Sequence, residues 1–307
     1  MPGDEQFRKR RRAALTALAA LAAGAMLPAP AGAAQAKRRF DRGLLWRVSR
    51  SGVAPSYIFG TIHLADPRVL DLPQAVLDAF ARCKRLLVES VQGRPEDARL
   101  LEAAQFEDGT RLEALIGADA YGKVAAQLRA RGIPDQVVAR LKPWAALANL
   151  TVTPEDYEGL TLDQDLVRLA RERGMRVLGL EGIEEHISVF EGIPMATQIA
   201  LLKHGLENRD FLVSMIEPTL QAWLKRDLSG IRAVGERVDA RFPEVAVHYR
   251  ILRRHLVHNR SVVMAHRLFF PLREGRYFIA VGADHLPGDD GVLALVQAQG
   301  WRLARAY

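Results

Sequence analysis

The feature that most restricts the fold is a pair of short apolar runs, each closed by Gly, then a histidine three positions on, then Leu. The first is Tyr57-Ile58-Phe59-Gly60-Thr61-Ile62-His63-Leu64. The second is Phe278-Ile279-Ala280-Val281-Gly282-Ala283-Asp284-His285-Leu286, more than two hundred residues further along. A short apolar run ended by glycine reads as a buried strand that meets a tight turn. Gly60 and Gly282 supply either a positive φ or room for another backbone to come close, and so aim the next imidazole back over the strand end. A single unit of this kind specifies little. Two of them can bring histidines from opposite ends of the chain to one edge of a sheet.

The stretches between fit an α/β fold. Leu44-Leu45-Trp46-Arg47-Val48 alternates as a strand does and Ser51-Gly52-Val53-Ala54-Pro55 reads as a turn, so residues 44–60 are predicted to form a hairpin. Leu72, Ala75, Val76, Ala79 and Phe80 then follow a helical period, with Pro73 in the first turn. Arg85-Leu86-Leu87-Val88-Glu89 is a short buried strand ending on a carboxylate. This strand–helix–strand succession predicts a βαβ unit with Glu89 close to His63. Arg176-Val177-Leu178-Gly179-Leu180-Glu181 repeats the theme. Residues 95–174 and 194–268 are mainly helical in pattern, which makes a large helical insertion, and a last strand is predicted at 301–305.

Residues 1–36 have the form of a cleaved signal peptide. The cluster Arg8-Lys9-Arg10-Arg11-Arg12 precedes the apolar run 13–27 and small-residue sites ending at Ala33 or Ala36. The Arg11-Arg12 pair resembles a twin-arginine signal, and Sec export is the other route. The run is short for a membrane span, so no transmembrane segment is expected after cleavage, and the product is expected in the periplasm or outside the cell. The leader carries five basic and two acidic residues, so +3 of the formal +7 leaves with it. The remaining +4 gives no reason to expect nucleic acid as a partner. The one cysteine, Cys83, has no partner for an internal disulfide and reads as a small buried hydrophobe. Residues 40–307 suffice for one large core with a helical insertion.

Four strand ends therefore carry polar residues: His63, Glu89, Glu181 and His285. Ligands gather at the carboxyl ends of strands in open α/β sheets. Two imidazoles with one or two carboxylates suit Zn, Mn, Co or Fe and leave room for water. Such an ion lowers the pKa of water and polarises a carbonyl. Asp284 can orient a histidine, act as a base or cap its turn, whereas Glu89 and Glu181 can alternatively neutralise helix N-termini. His248, His255 and His266 share a helical face, but the arginines among them favour a solvated basic surface. The spacings H-E-x-x-H and G-x-S-x-G and a Walker loop are all missing.

The motifs Gly60-Thr61-Ile62-His63-Leu64, Leu86-Leu87-Val88-Glu89, Lys142-Pro143-Trp144-Ala145, Leu162-Asp163, Gly179-Leu180-Glu181 and Gly282-Ala283-Asp284-His285-Leu286-Pro287-Gly288 together resemble the TraB/GumN family. That family includes the animal Tiki metalloproteases. The resemblance runs from about Leu45 to the C-terminus. It implies a mixed sheet flanked by helices, of erythromycin-esterase or ChaN-like architecture. It also implies a Mn or Co centre built from His63, His285 and Glu89. The family's Arg-Asn pair on a helix is matched here by Arg260-Ser261, so the arginine carries over and the asparagine does not. The function so implied is metal-dependent hydrolysis of a peptide or amide bond, with Glu89 as ligand or general base and Arg260 stabilising an oxyanion or a substrate carboxylate. The other readings are a periplasmic haem- or metal-binding protein without turnover and an accessory protein acting by contact.

Overall fold

Six strands make one mixed sheet in the order β4-β3-β5-β2-β1-β6. They are β1 (Leu45–Arg50), β2 (Val53–Thr61), β3 (Arg85–Ser90), β4 (Arg176–Glu181), β5 (Tyr277–Gly282) and β6 (Arg302–Arg305). The computed structural model describes residues 40–307 apart from residue 92 and residues 152–158. The leader at 1–36 and Lys37-Arg38-Arg39 lie outside the described residues.

β1 and β2 pair antiparallel through Leu45↔Phe59 and Arg50↔Val53, which is the predicted hairpin. Its turn is tighter than expected. Ser51 and Gly52 alone reverse the chain, with Gly52 at φ +76°, and Pro55 lies within β2. β2, β5, β3 and β4 then run side by side in parallel. Parallel strands covered on both faces need continuous apolar runs, and Ile58, Phe59, Leu86, Ile279, Ala280 and Val281 are almost wholly buried. The predicted βαβ unit needs one correction. The helix Gln74–Ala81 does connect β2 to β3, but β5 inserts between those two strands. It is the last of the four in sequence, and local periodicity carries no information on where such a strand docks.

Two hydrophobic clusters result. One packs around the sheet. The other is built from helical residues such as Leu128, Trp144, Leu147, Leu202 and Tyr249, whereas Leu162, Leu166, Leu220, Trp223 and Leu268 of the same helical stretches pack with the sheet. Residues 194–268 are helical as expected, but divided into several pieces by turns at Asn208, Met215 and Asp227, and then by a π-helical turn, Arg254–His258. That turn links the helices Ala246–Arg253 and Asn259–Arg267. One extra residue per turn rotates everything after it by ~100°. The shared histidine face is therefore broken: His248 bonds Thr197, His258 bonds Asp290 and His266 is exposed, and the basic surface expected around them is not wholly solvated, since Arg253 and Arg260 are buried. Cys83 is buried with Sγ donating to the Ala79 carbonyl, and burial pushes its thiol up to about 12. Among the described residues no helix is long and apolar enough to cross a membrane.

Candidate functional site

Because β2, β5, β3 and β4 are parallel neighbours, their carboxyl ends share one edge of the sheet. Thr61 pairs with Gly282 and Ser90 with Glu181, so His63, His285, Glu89 and Glu181 all emerge there. The three central residues converge on one atom. Nε2 of His63 lies 3.9 Å and Nε2 of His285 3.6 Å from Oε1 of Glu89.

The opposite nitrogen of each imidazole is tied down. Nδ1 of His63 sits 2.7 Å from Oδ2 of Asp163, whose other oxygen accepts from the Thr61 hydroxyl at 2.7 Å. Asp163 lies in the first turn of the helix Leu162–Glu172, whose capping box at Thr161 and Gln164 fixes where that helix starts. Nδ1 of His285 lies 2.9 Å from the Ser261 hydroxyl, which donates back to the Val257 carbonyl at 2.8 Å. Sequence reasoning did not give Asp163 or Ser261 a role. For Asp163 the trace was the Leu162-Asp163 motif. For Ser261 it was the replaced asparagine beside Arg260, and the shorter hydroxyl now holds the ring.

Neither glycine takes a positive φ. Of the two uses expected for them, close approach is the one found. A Cβ on Gly60 would come within 2.7 Å of Leu286 Cδ1 and 3.1 Å of Ala283 Cα. A Cβ on Gly282 would lie 3.1 Å from Glu89 Oε1, 3.4 Å from His285 Cδ2 and 3.6 Å from His63 Nε2. The Gly282 N–H donates to Glu89 Oε1 at 2.6 Å.

Arg260 organises the two carboxylates. Its Nη2 donates to Glu89 Oε2 at 2.6 Å and to Glu181 Oε2 at 2.7 Å, and its Nη1 to the Leu256 carbonyl at 3.1 Å. Arg260 and Ser261 both back-bond to carbonyls of the π turn, which sets the rotation that points them at the strand ends. Glu181 does not cap the following helix. Glu185 does, accepting from the Gly182 N–H at 2.8 Å. His186 stands 4.0 Å from Glu181, beyond hydrogen-bond range. Asp284 is half-buried and lines a small cavity beside His285.

These contacts set the charges. Burial opposes ionisation of Glu89, but the Arg260 guanidinium, both imidazoles and the Gly282 N–H hold it well below the usual carboxylate range. Burial also pushes against a proton on His63, and the Asp163 carboxylate, aided by Glu89, overrides it and raises the imidazole to about 9. His285 has no such carboxylate on Nδ1, and burial lowers it to about 4. Two rings on one oxygen thus differ because one rests on an anion and the other on a hydroxyl.

Two imidazoles and a carboxylate are donor types that a divalent cation takes. Both Nε2 atoms face a carboxylate oxygen, with each Nδ1 oriented by a partner as in histidine metal sites. Two donors ~2.1 Å from a tetrahedral ion lie roughly 3.4 Å apart. The separations of 3.6 and 3.9 Å therefore exceed ligand spacing by only a few tenths of an ångström. Among the described residues no group of three or more His, Cys, Asp or Glu side chains is placed to hold a metal ion. A cleft of about 490 Å³, lined by His63, Glu89, Asp163, Arg171, His186 and Arg260 among others, reaches this centre.

A model of the TraB/PrgY/gumN family matches residues 44–305. The chain belongs to that family. Among similar proteins, Metalloprotease TIKI2 of Danio rerio is 24% identical over 313 residues, covering 84% of this chain and 60% of its own length. The match thus spans less than two thirds of that relative. The uncharacterized protein YbaP of Shigella flexneri is 24% identical over 246 residues, covering 79% of this chain and 88% of its own length. No solved structure matches the chain.

Proposed function

We propose that the protein is a metal-dependent hydrolase of peptide or amide bonds. The observation that carries this reading is the convergence of two Nδ1-anchored imidazoles, the half-buried His63 and the buried His285, on Glu89 Oε1 at a sheet edge open to a cleft. The similarity to a metalloprotease supports it. His63, His285 and Glu89 would hold the ion, Mn or Co being favoured by the family resemblance and Zn or Fe suiting the donors equally. When bound, such an ion activates water and polarises a carbonyl.

The chain's own residues then have distinct tasks. Asp163 and Ser261 orient the rings so that Nε2 faces inward. Glu89 has an Arg260 hydrogen bond on Oε2 and a depressed pKa, which suits a ligand better than a base working near neutral pH. Arg260 keeps two buried carboxylates ionised and close together, and it lines the cleft wall, where a developing oxyanion or a substrate carboxylate can meet its charge. Glu181 is committed to Arg260 and acts through it. We also assign residues 1–36 as an export leader, so that the reaction takes place in the periplasm or outside the cell, and place the fold with the erythromycin-esterase and ChaN-like proteins.

One observation favours a second reading, a binding or accessory protein without turnover: Glu89 Oε1 already accepts the Gly282 N–H. The test is turnover of a mixed peptide library by the Mn- or Co-loaded chain. Loss of cleavage in His63→Ala with unchanged circular dichroism supports hydrolysis, whereas no cleavage by the loaded wild type returns the protein to the second reading.

A further inference from the structure

Two cavities meet at the candidate centre, and both are lined by His63, Leu256 and Arg260. They differ in size and character. The smaller, about 70 Å³, lies under Trp223 and is walled by Ile62, Ile216, Ile231 and Val257 together with His285. It is held rigid from behind, since Trp223 Nε1 donates to the Gly60 carbonyl at 3.0 Å. A water needs ~10–15 Å³ of such space, so this volume takes a group of about four or five heavy atoms; Thr61, Thr219 and Asp284 also line it, but most of its wall is apolar and favours hydrocarbon.

The larger, about 490 Å³, runs along the helix Leu162–Glu172. Asp163, Val167 and Arg171 form one stripe of that helix, four residues apart, and all three line the cleft. Asp163 is fastened to His63, so the stripe begins at the centre and Arg171 lies ~12 Å along it. The neighbouring Arg168 is neutralised by Asp165 and Glu172, each at 2.7 Å. Arg171 is exposed and has no carboxylate partner among the described residues. It is a cation facing the cleft, at a distance an extended peptide covers in about three residues.

We infer that the site takes an extended peptide with a short branched aliphatic side chain beside the scissile amide, seated in the Trp223 cavity, and a carboxylate about three residues away bound by Arg171. The position of the scissile amide rests on the hydrolytic reading above. The recognition chemistry rests on the two cavities alone. The carboxylate can be a chain terminus or an Asp or Glu side chain.

The test uses the full chain with Mn²⁺ and three matched short peptides. Each has valine and, about three residues on, either Glu in an amidated peptide, a free terminal carboxylate, or Gln in an amidated peptide. Calorimetric binding is measured beside cleavage. The expected result is that at least one anionic peptide binds more than about tenfold tighter than the neutral one, and that Arg171→Ala erases this ratio. Which anionic peptide gains identifies the source of the carboxylate. Ile216→Ala, at a half-buried wall position, is expected to move the preference from valine to leucine or larger. Equal binding of all three peptides by wild type, or an equal loss for all three in Arg171→Ala, overturns the inference. Discrimination in binding without cleavage of any peptide removes the hydrolase and leaves this recognition site standing. Cleavage without discrimination does the reverse.

Discussion

Asp163→Asn separates what Asp163 does for His63 from what the fold does. The substitution keeps the shape and the bond to Thr61 but removes the negative charge 2.7 Å from Nδ1 of His63. Two effects on metal affinity follow, with opposite signs. Partners that orient a ligand imidazole and raise its basicity are worth ~10–100-fold in affinity, or ~1.4–2.7 kcal/mol. Against this, His63 must lose a proton before it can be a ligand, and Asp163 helps raise that proton's pKa to about 9. Each pH unit below that value weakens apparent binding about tenfold, ~1.4 kcal/mol. Wild type should therefore bind Mn²⁺ roughly a hundredfold more tightly at about pH 8.5 than at about pH 6.5. In Asp163→Asn the proton is held less firmly, so the pH slope flattens. The loss of ligand basicity then stands nearly alone at the upper pH, as a deficit of ~10–100-fold. Anaerobic calorimetric titration at the two pH values reads both quantities. A variant with the wild-type slope and wild-type affinity at the upper pH would refute the role of Asp163.

Further perturbations follow from the same geometry. Gly282→Ala places a methyl 3.1–3.6 Å from Glu89 Oε1, His285 and His63 Nε2. With φ at −51° the backbone accepts alanine, so the melting temperature should move little while Mn²⁺ affinity falls at least about tenfold by calorimetry. Arg260→Met leaves Glu89 and Glu181 buried without their shared cation, and urea unfolding should show a loss of ~3–5 kcal/mol. The metal-free protein should also show a His63-dependent pH effect. A folded pKa of about 9 against the ordinary 6.5 is stabilising, fully so below the ordinary value, and the benefit is lost as pH rises through the folded one. The stability advantage of metal-free wild type over His63→Gln should accordingly shrink by up to ~3 kcal/mol across that window.

The strand ends were legible because parallel strands buried on both faces leave an unbroken apolar run in the sequence, closed here by Gly60, Glu89, Glu181 and Gly282. The hairpin and the final strand were legible for equally local reasons. The insertion of β5 between β2 and β3 was not, since strand order is decided by contacts remote in sequence. Nor was the π turn, which invalidates a helical wheel drawn across residues 248–266 and sets the aim of Arg260 and Ser261. Asp163 was hidden for another reason. An acidic residue in a first helical turn is common for its effect on the helix dipole, and only the approach of that helix to His63 gives it a further task. Nor does the sequence show that Glu185, not Glu181, caps the following helix, since the partner of Glu181, Arg260, lies seventy-nine residues away.

The central claim is that His63, His285 and Glu89 hold a single divalent ion, and elemental analysis of the purified chain tests it most directly. After dialysis against Mn²⁺ or Co²⁺ and removal of the excess, wild type should retain about one ion per chain, and a folded His63→Ala/His285→Ala variant should retain almost none. Wild type without stoichiometric metal, or a double variant retaining as much as wild type, would contradict it.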